Sequence, residues 1–187
     1  MNKNTPELWD FRYTKGLKNY ARYCMTVISN EIPADSSVLD IGGGNGKFLR
    51  WQKEEKNVKP YVIDISPAAI KMANNWGVPG EVRNAENLDD FQGEFDIVVC
   101  THVMEHIDDD KNLAKNIGRL AKKMALIAVP NDCSYPHPQG LHVRKYNYDT
   151  LIEVLKPYFT SFVNLTRPQR FLKNHLIVKC LKQVLTP

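Results

Sequence analysis

Val38-Leu39-Asp40-Ile41-Gly42-Gly43-Gly44-Asn45-Gly46 decides how the rest of the chain is read. An apolar run ending on an acid has the composition of a short buried strand, and glycines at alternate positions (Gly42, Gly44, Gly46) turn the backbone sharply out of it. Lacking Cβ atoms, they can take positive φ and let a ligand reach the main chain. The helix expected next offers unpaired N–H groups to a negative group. The stretch therefore reads as a ligand-binding turn between strand and helix.

Spacing separates the ligands that use such a turn. A phosphate loop, G-x-x-x-x-G-K-[ST], could end on Gly46-Lys47, but its first glycine falls on Ile41 and its hydroxyl on Phe48. A dinucleotide turn, G-x-G-x-x-G from Gly42, meets Lys47 where its third glycine belongs. What remains is D-x-G-x-G-x-G, which suits a ligand carrying both a cation and a carboxylate, such as S-adenosylmethionine. This stretch resembles the first motif of class I S-adenosylmethionine-dependent methyltransferases, of the small-molecule, type 11/12 kind.

Length and composition are those of an ordinary globular chain. With 187 residues, 43% hydrophobic and 25% charged, a single domain over residues 1–187 is expected. No stretch approaches the roughly 18 apolar residues of a membrane span. Met1-Asn2-Lys3-Asn4 lacks the apolar core of a signal peptide, so the expectation is a cytoplasmic protein with no membrane partner. Cys24, Cys100, Cys133 and Cys180 lie far apart without a C-x-x-C pair, which reads as reduced, mostly buried thiols. The net charge of +4 is local: no acid follows Glu153, whereas Lys156, Arg167, Arg170, Lys173, Lys179 and Lys182 do. Spread over apolar strands, these cations read first as a solvated surface, and nucleic acid is a partner not favoured.

Residues 6–30 read as helical, with Leu17, Tyr20, Ala21, Cys24 and Ile28 on one apolar stripe, and residues 1–33 form a helical cap or lid segment. After the glycine turn a helix begins at Lys47. Tyr61-Val62-Ile63-Asp64 is a second buried strand, its acid 22 residues beyond Gly42, where such folds hold ribose hydroxyls. Ser66-Pro67 opens the next helix and Gly77 stops it. Glu81-Val82-Arg83 is a third strand, leading into Asn84-Ala85-Glu86-Asn87-Leu88. Phe95 to Cys100 is a fourth strand. Residues 108–110 cap a helix with the stripe Leu113, Ile117 and Leu120 and with Lys122 and Lys123 at its end. Residues 124–129 are a fifth strand, residues 130–140 a loop, and a further helix is capped at Asn147. Residues 162–165 and 175–180 complete seven strands, their short connection favouring an antiparallel last pair. The fold expected is a doubly wound α/β sheet, mostly parallel with an antiparallel last strand, the Rossmann-like methyltransferase architecture.

In such sheets the ligand lies outside the carboxyl ends of the strands, where Asp40, Asp64, Asn84 and Cys100 converge. The resemblance implies that Gly42 and Gly44 contact the methionyl part, Asp40 lies near its ammonium and Asp64 holds the ribose. Ile65 and Ala85 would flank the adenine, and Cys100, Thr101 and His102 would line the methionyl side. Asn84 stands where the family's D-A-E-x-L motif has an acid facing the adenine amine; an amide can both accept and donate there.

Methyl transfer is an in-line displacement, and a base is needed only when the nucleophile carries a proton. His102, His106, His137 and His142 are the histidines near the expected acceptor side. His102 and His142 are the catalytic candidates, with Arg144 able to clamp an anionic acceptor. His102-x-x-Glu105-His106 also spells a metal pattern, but that pattern needs a continuous helix where a strand has just ended, so no metal is expected. The acceptor expected is a small molecule methylated at oxygen or nitrogen. The alternatives are an RNA methyltransferase, a noncatalytic methyltransferase-like partner subunit and, opposed by Lys47, a nicotinamide-dependent reductase. The sequence leaves the oligomeric state open.

Overall fold

A computed structural model describes residues 5–14, 22–131, 141–166 and 175–183. Leu17, Tyr20 and Ala21 of the expected stripe, Cys133, His137, and the basic Arg167, Arg170 and Lys173 lie outside the described residues. Strands β1 (Ser37–Ile41), β2 (Lys59–Asp64), β3 (Gly80–Val82), β4 (Phe95–Thr101), β5 (Ala121–Pro130), β6 (Ser161–Asn164) and β7 (His175–Leu181) form one seven-stranded sheet, ordered β3-β2-β1-β4-β5-β7-β6. The first five pair in parallel, and β7 is antiparallel to both β5 and β6. Strand order reverses between β1 and β4, which opens a crevice above the end of β1.

Alternation along the strands feeds two cores. On one face Leu39, Ile41, Val98, Ile127 and Val178 join Leu113 and Ile117 of α5 (Asp110–Leu120) and Leu151 and Leu155 of α6 (Tyr148–Leu155). On the other, Val38, Val62, Val99, Leu126 and Ile177 meet Cys24 and Ile28 of α2 (Arg22–Glu31), Leu49 of α3 (Lys47–Lys56) and Ala73 of α4 (Pro67–Asn75). Each fully buried Leu or Ile contributes about 1.5–3 kcal/mol relative to exposure. Ser66 and Asp109 cap α4 and α5, and Asn147 forms a reciprocal capping box with Thr150 at α6.

α1 (Pro6–Thr14) and α2 are the described parts of the helix expected over residues 6–30. Lys122 and Lys123 correct the expectation that they close α5. Strand β5 already begins at Ala121, and Lys123 Nζ instead pairs with Asp96 Oδ1 at 2.9 Å at the amino end of the sheet. No helix among the described residues is long and apolar enough to cross a membrane.

Candidate active site

The glycine turn is built by backbone that only glycine adopts readily. Gly42, Gly44 and Gly46 have φ of 69°, 58° and 69°, and the amides of Gly42 and Gly43 both donate to Ile63 O. A Cβ at Gly42 would stand 2.3 Å from Val103 Cγ2, so the loop after β4 closes directly on the turn. Asp64, buried at the end of β2, holds the turn from the other side: Gly44 N donates to Oδ2 and Ser66 N to Oδ1, both at 2.9 Å. Burial raises the Asp64 carboxyl above the usual carboxylate range, against the lowering pull of those amides.

Asp40 is different in kind. It is 1% exposed, and neither carboxylate oxygen has a hydrogen-bond partner among the described residues. Burial, with the neighbouring Asp64 carboxylate, pushes it up to about 8. A buried acid without a partner is rare, and at a strand end beside an open turn it points to a ligand with a complementary charge.

The segment after β4 carries the remaining chemistry. His102 takes φ of 56°, a left-handed conformation unusual for a side-chain-bearing residue, and donates its amide to Ala128 O at 2.8 Å. The 3-10 turn Met104–His106 follows, with Glu105 2% exposed. Glu105 Oε1 lies 3.3 Å from His102 Nδ1 and 3.9 Å from His106 Nε2, yet among the described residues neither carboxylate oxygen makes a well-formed hydrogen bond. Burial alone would lower the His102 imidazole, but Cys24 and Glu105 outweigh it and hold it up at about 10. Burial likewise favours a neutral Cys24 thiol, but His102 and His175 draw it down to about 7. His106 is held below its ordinary value by burial, and its ring meets His142 and Trp9 edge-on at 5.0 and 5.4 Å.

α1 spans the rim between these parts. Asp10 Oδ1 accepts from the Ser66 hydroxyl and, at 3.1 Å, from Ala68 N at the start of α4, while Trp9 reaches His106.

Comparison with known proteins decides the family. The profile of a family described as a methyltransferase domain matches residues 13–163. The chain belongs to this family. A ubiquinone biosynthesis O-methyltransferase from Xanthomonas oryzae is 28% identical over 96 residues, covering 48% of this chain and 40% of that protein. The chain thus matches well under half the length of that curated relative. Human EEF1A lysine methyltransferase 2 is 24% identical over 188 residues, covering 83% of this chain and 79% of its own. Among solved structures, magnesium protoporphyrin IX methyltransferase from Synechocystis with bound SAH superposes with a TM-score of 0.74 at 13% identity, covering 95% of this chain and 98% of that one. The Rossmann-like fold expected of the sequence is that of these methyltransferases.

The cofactor of this methyltransferase domain is S-adenosylmethionine. The residues present fit it: a buried carboxylate at Asp40 with no hydrogen-bond partner among the described residues, beside a glycine turn in left-handed backbone that side chains rarely adopt. The other expected site residues are variously disposed. Asn84 Oδ1 accepts from Glu86 N at 3.0 Å, so its oxygen is engaged in its own turn. Ile65 and Ala85 are half-buried, and Thr101 is buried at the strand end. Cys100 is fully buried, and its side chain joins the core on the α5 face. Arg144 is engaged within the chain: Nη1 meets Asp110 Oδ2 at 2.7 Å, Nε donates to Ile107 O at 3.2 Å, and Nη2 donates to Asp108 O at 2.5 Å. Tyr146 donates to the same Asp110 oxygen at 2.7 Å, so the pair locks residues 141–146 onto the loop after β4.

Sequence reasoning did not find Cys24 or His175 as neighbours of His102, nor Asp10 as an anchor. Cys24 carries only a core-stripe signal, and His175 reads as the first residue of a strand. No spacing connects them.

Proposed function

We propose that this methyltransferase domain transfers a methyl group from S-adenosylmethionine to an oxygen or nitrogen of a small-molecule acceptor. The observation that carries the donor half is the buried, unpartnered Asp40 carboxylate beside the positive-φ glycine turn at the β1–β4 crevice. Asp40 faces the donor's ammonium, Gly42 and Gly44 present their main chain to its methionyl part, and Asp64 meets the ribose with the lone pairs its two amide contacts leave free. The bound donor supplies a methyl group already activated on a sulfonium, so the chain's task is alignment and proton removal.

On the acceptor side, His142 stands edge-on to His106, whose imidazole burial keeps neutral. His142 serves as the base for a protonated nucleophile, His106 orients it, and Arg144 contributes by holding their segment in place. α1, tied to Ser66 and His106, covers the crevice as a lid and excludes water. By name one relative is a ubiquinone biosynthesis O-methyltransferase and another an EEF1A lysine methyltransferase, and a small acceptor is supported by the contact of both Trp9 of α1 and His142 with His106. Of the basic residues that keep an RNA acceptor in view, Lys179 is already paired with Glu31 at 2.7 Å.

The test is calorimetric titration with S-adenosylmethionine, followed by methyl-transfer assays on quinols and catechols, a lysine-rich protein and RNA at several salt concentrations. Transfer to the small phenols with none to protein or RNA is the expected result. Donor binding with transfer only to RNA or protein overturns the acceptor assignment, and absence of donor binding overturns the whole reading.

A further inference from the structure

Some side chains at the carboxyl edge have no part in methyl transfer as proposed above, and they gather at one point. Cys24 on α2, His102 after β4 and His175 at the start of β7 bring a thiol and two imidazoles together with their ligand atoms within 4.8 Å of one another. The two rings meet edge to face at 5.0 Å. Among the described residues, His102 Nε2 and His175 Nδ1 are buried without a hydrogen-bond partner, and Cys24 is a buried thiol in no disulfide. Buried ring nitrogens normally have partners. With Nδ1 of His102 turned to Glu105, Nε2 is the nitrogen it has left to offer.

We propose that Cys24, His102 and His175 bind a zinc ion at the carboxyl edge of the sheet, leaving its fourth position to water or a substrate nucleophile. The donor set argues for zinc: one thiolate and two imidazoles are too soft for magnesium or calcium. Zinc bonds of about 2.0–2.3 Å place neighbouring ligands about 3.4 Å apart in a tetrahedron, so modest side-chain rotation closes the cluster. Glu105 supplies the outer shell. Its buried carboxylate lacks a well-formed hydrogen bond of its own and lies 3.3 Å from His102 Nδ1, the carboxylate–histidine–metal arrangement that fixes tautomer and ring orientation. The left-handed backbone of His102 is then the means by which a residue just past a strand reaches the cluster.

The position has a consequence for the fold. His102 N is bonded to Ala128 O and His175 pairs with Pro130, so the ion sits at the ends of β4 and β5 and ties α2 to the sheet. This site does not depend on the acceptor chosen above. A second cluster, Glu105, His106 and His142, also has its ligand atoms within 4.8 Å of one another but has no thiolate, and it competes for the same carboxylate.

The full chain, stripped of metal by a chelator, is titrated with Co²⁺ and then with Zn²⁺ against a chromophoric chelator. Expected are one equivalent of cobalt with a near-ultraviolet thiolate-to-cobalt band and tetrahedral visible bands, both lost on zinc addition. Cys24→Ser removes the thiolate band. Glu105→Gln keeps it but weakens zinc binding by about 10- to 100-fold, and His175→Ala weakens it by more. His142→Ala changes neither. Circular dichroism confirms that each variant folds, and the titration of the unmodified chain decides the matter where one does not. No saturable binding by that chain, or bound cobalt without a thiolate band, overturns the site. So does binding that survives Cys24→Ser but is lost in His142→Ala, because the ion then belongs to the other cluster.

Discussion

The two ends of the sheet treat their acids in opposite ways. At the amino end, Asp96 Oδ2 accepts from Ser37 N and Oγ at 2.9 Å each, while Oδ1 meets Lys123. Lys123 and those Ser37 bonds hold its carboxyl down at about 2. At the carboxyl end, no carboxylate oxygen of Asp40 or Glu105 has a hydrogen-bond partner among the described residues, and Asp40 is held up at about 8. The same two strands, β1 and β4, run between both ends, so the difference is one of use. Asp64 at the carboxyl end is bonded from within by Gly44 N and Ser66 N, so the contrast lies between Asp96, whose oxygens are satisfied by the fold, and Asp40, whose oxygens are not and which suits a ligand of complementary charge.

The largest effect is expected from Asp64→Ala, which orphans the Gly44 and Ser66 amides at about 1–3 kcal/mol each. Affinity for S-adenosylmethionine should fall by about 100-fold in calorimetry, and an unchanged affinity would remove the turn from the site.

Asp40 sets the next effect. The folded chain keeps its proton up to about pH 8, whereas an unfolded aspartate loses it near about 3.9. The folded state thus binds more protons between those values, and this group's contribution to stability declines as pH rises through that window. A cationic donor favours the ionised form, so donor affinity should climb with pH by up to about tenfold per unit below 8, with a proton released on binding. Asp40→Asn should flatten both slopes; a slope that persists in this variant assigns the titration to another group.

Smaller effects sharpen the contrast. Arg144→Ala leaves Asp110 with Tyr146 alone and should lower stability in urea by about 1–3 kcal/mol, a loss that a purely acceptor-facing arginine would not cause. Asp96→Asn should cost about 1 kcal/mol and leave donor affinity untouched. Asp96 is depressed, so its contribution is present above the ordinary carboxylate range and is lost as pH falls toward about 2. A change in donor affinity in Asp96→Asn would mean that the two ends are coupled.

Much of this architecture was legible in local patterns. Ser66-Pro67, Asp109 and Asn147 mark helix starts because a capping side chain bonds an amide only two or three residues on. The end of α5 was misread because Lys122 and Lys123 suit a helix C-terminus as well as a strand's solvent face, and the pairing of Phe95 with Ala121 decides between them. From its charge alone Arg144 reads as a clamp for an anion. Its engagement depends on Asp110, which the sequence places on a different element.

By itself the sequence determined the alternation of strands and helices, the glycine turn and the placing of Asp40 and Asp64 at strand ends, because alternation and turn chemistry are local properties of the chain. Only the tertiary structure decided that Asp40 lacks a partner while Asp96 does not, and that Cys24, His102 and His175 meet. The Asp96 bonds depend on the pairing of β1 with β4, and the cluster on the antiparallel pairing of β7 with β5 and the packing of α2 on the sheet, contacts between residues whose separation along the chain leaves no periodic trace.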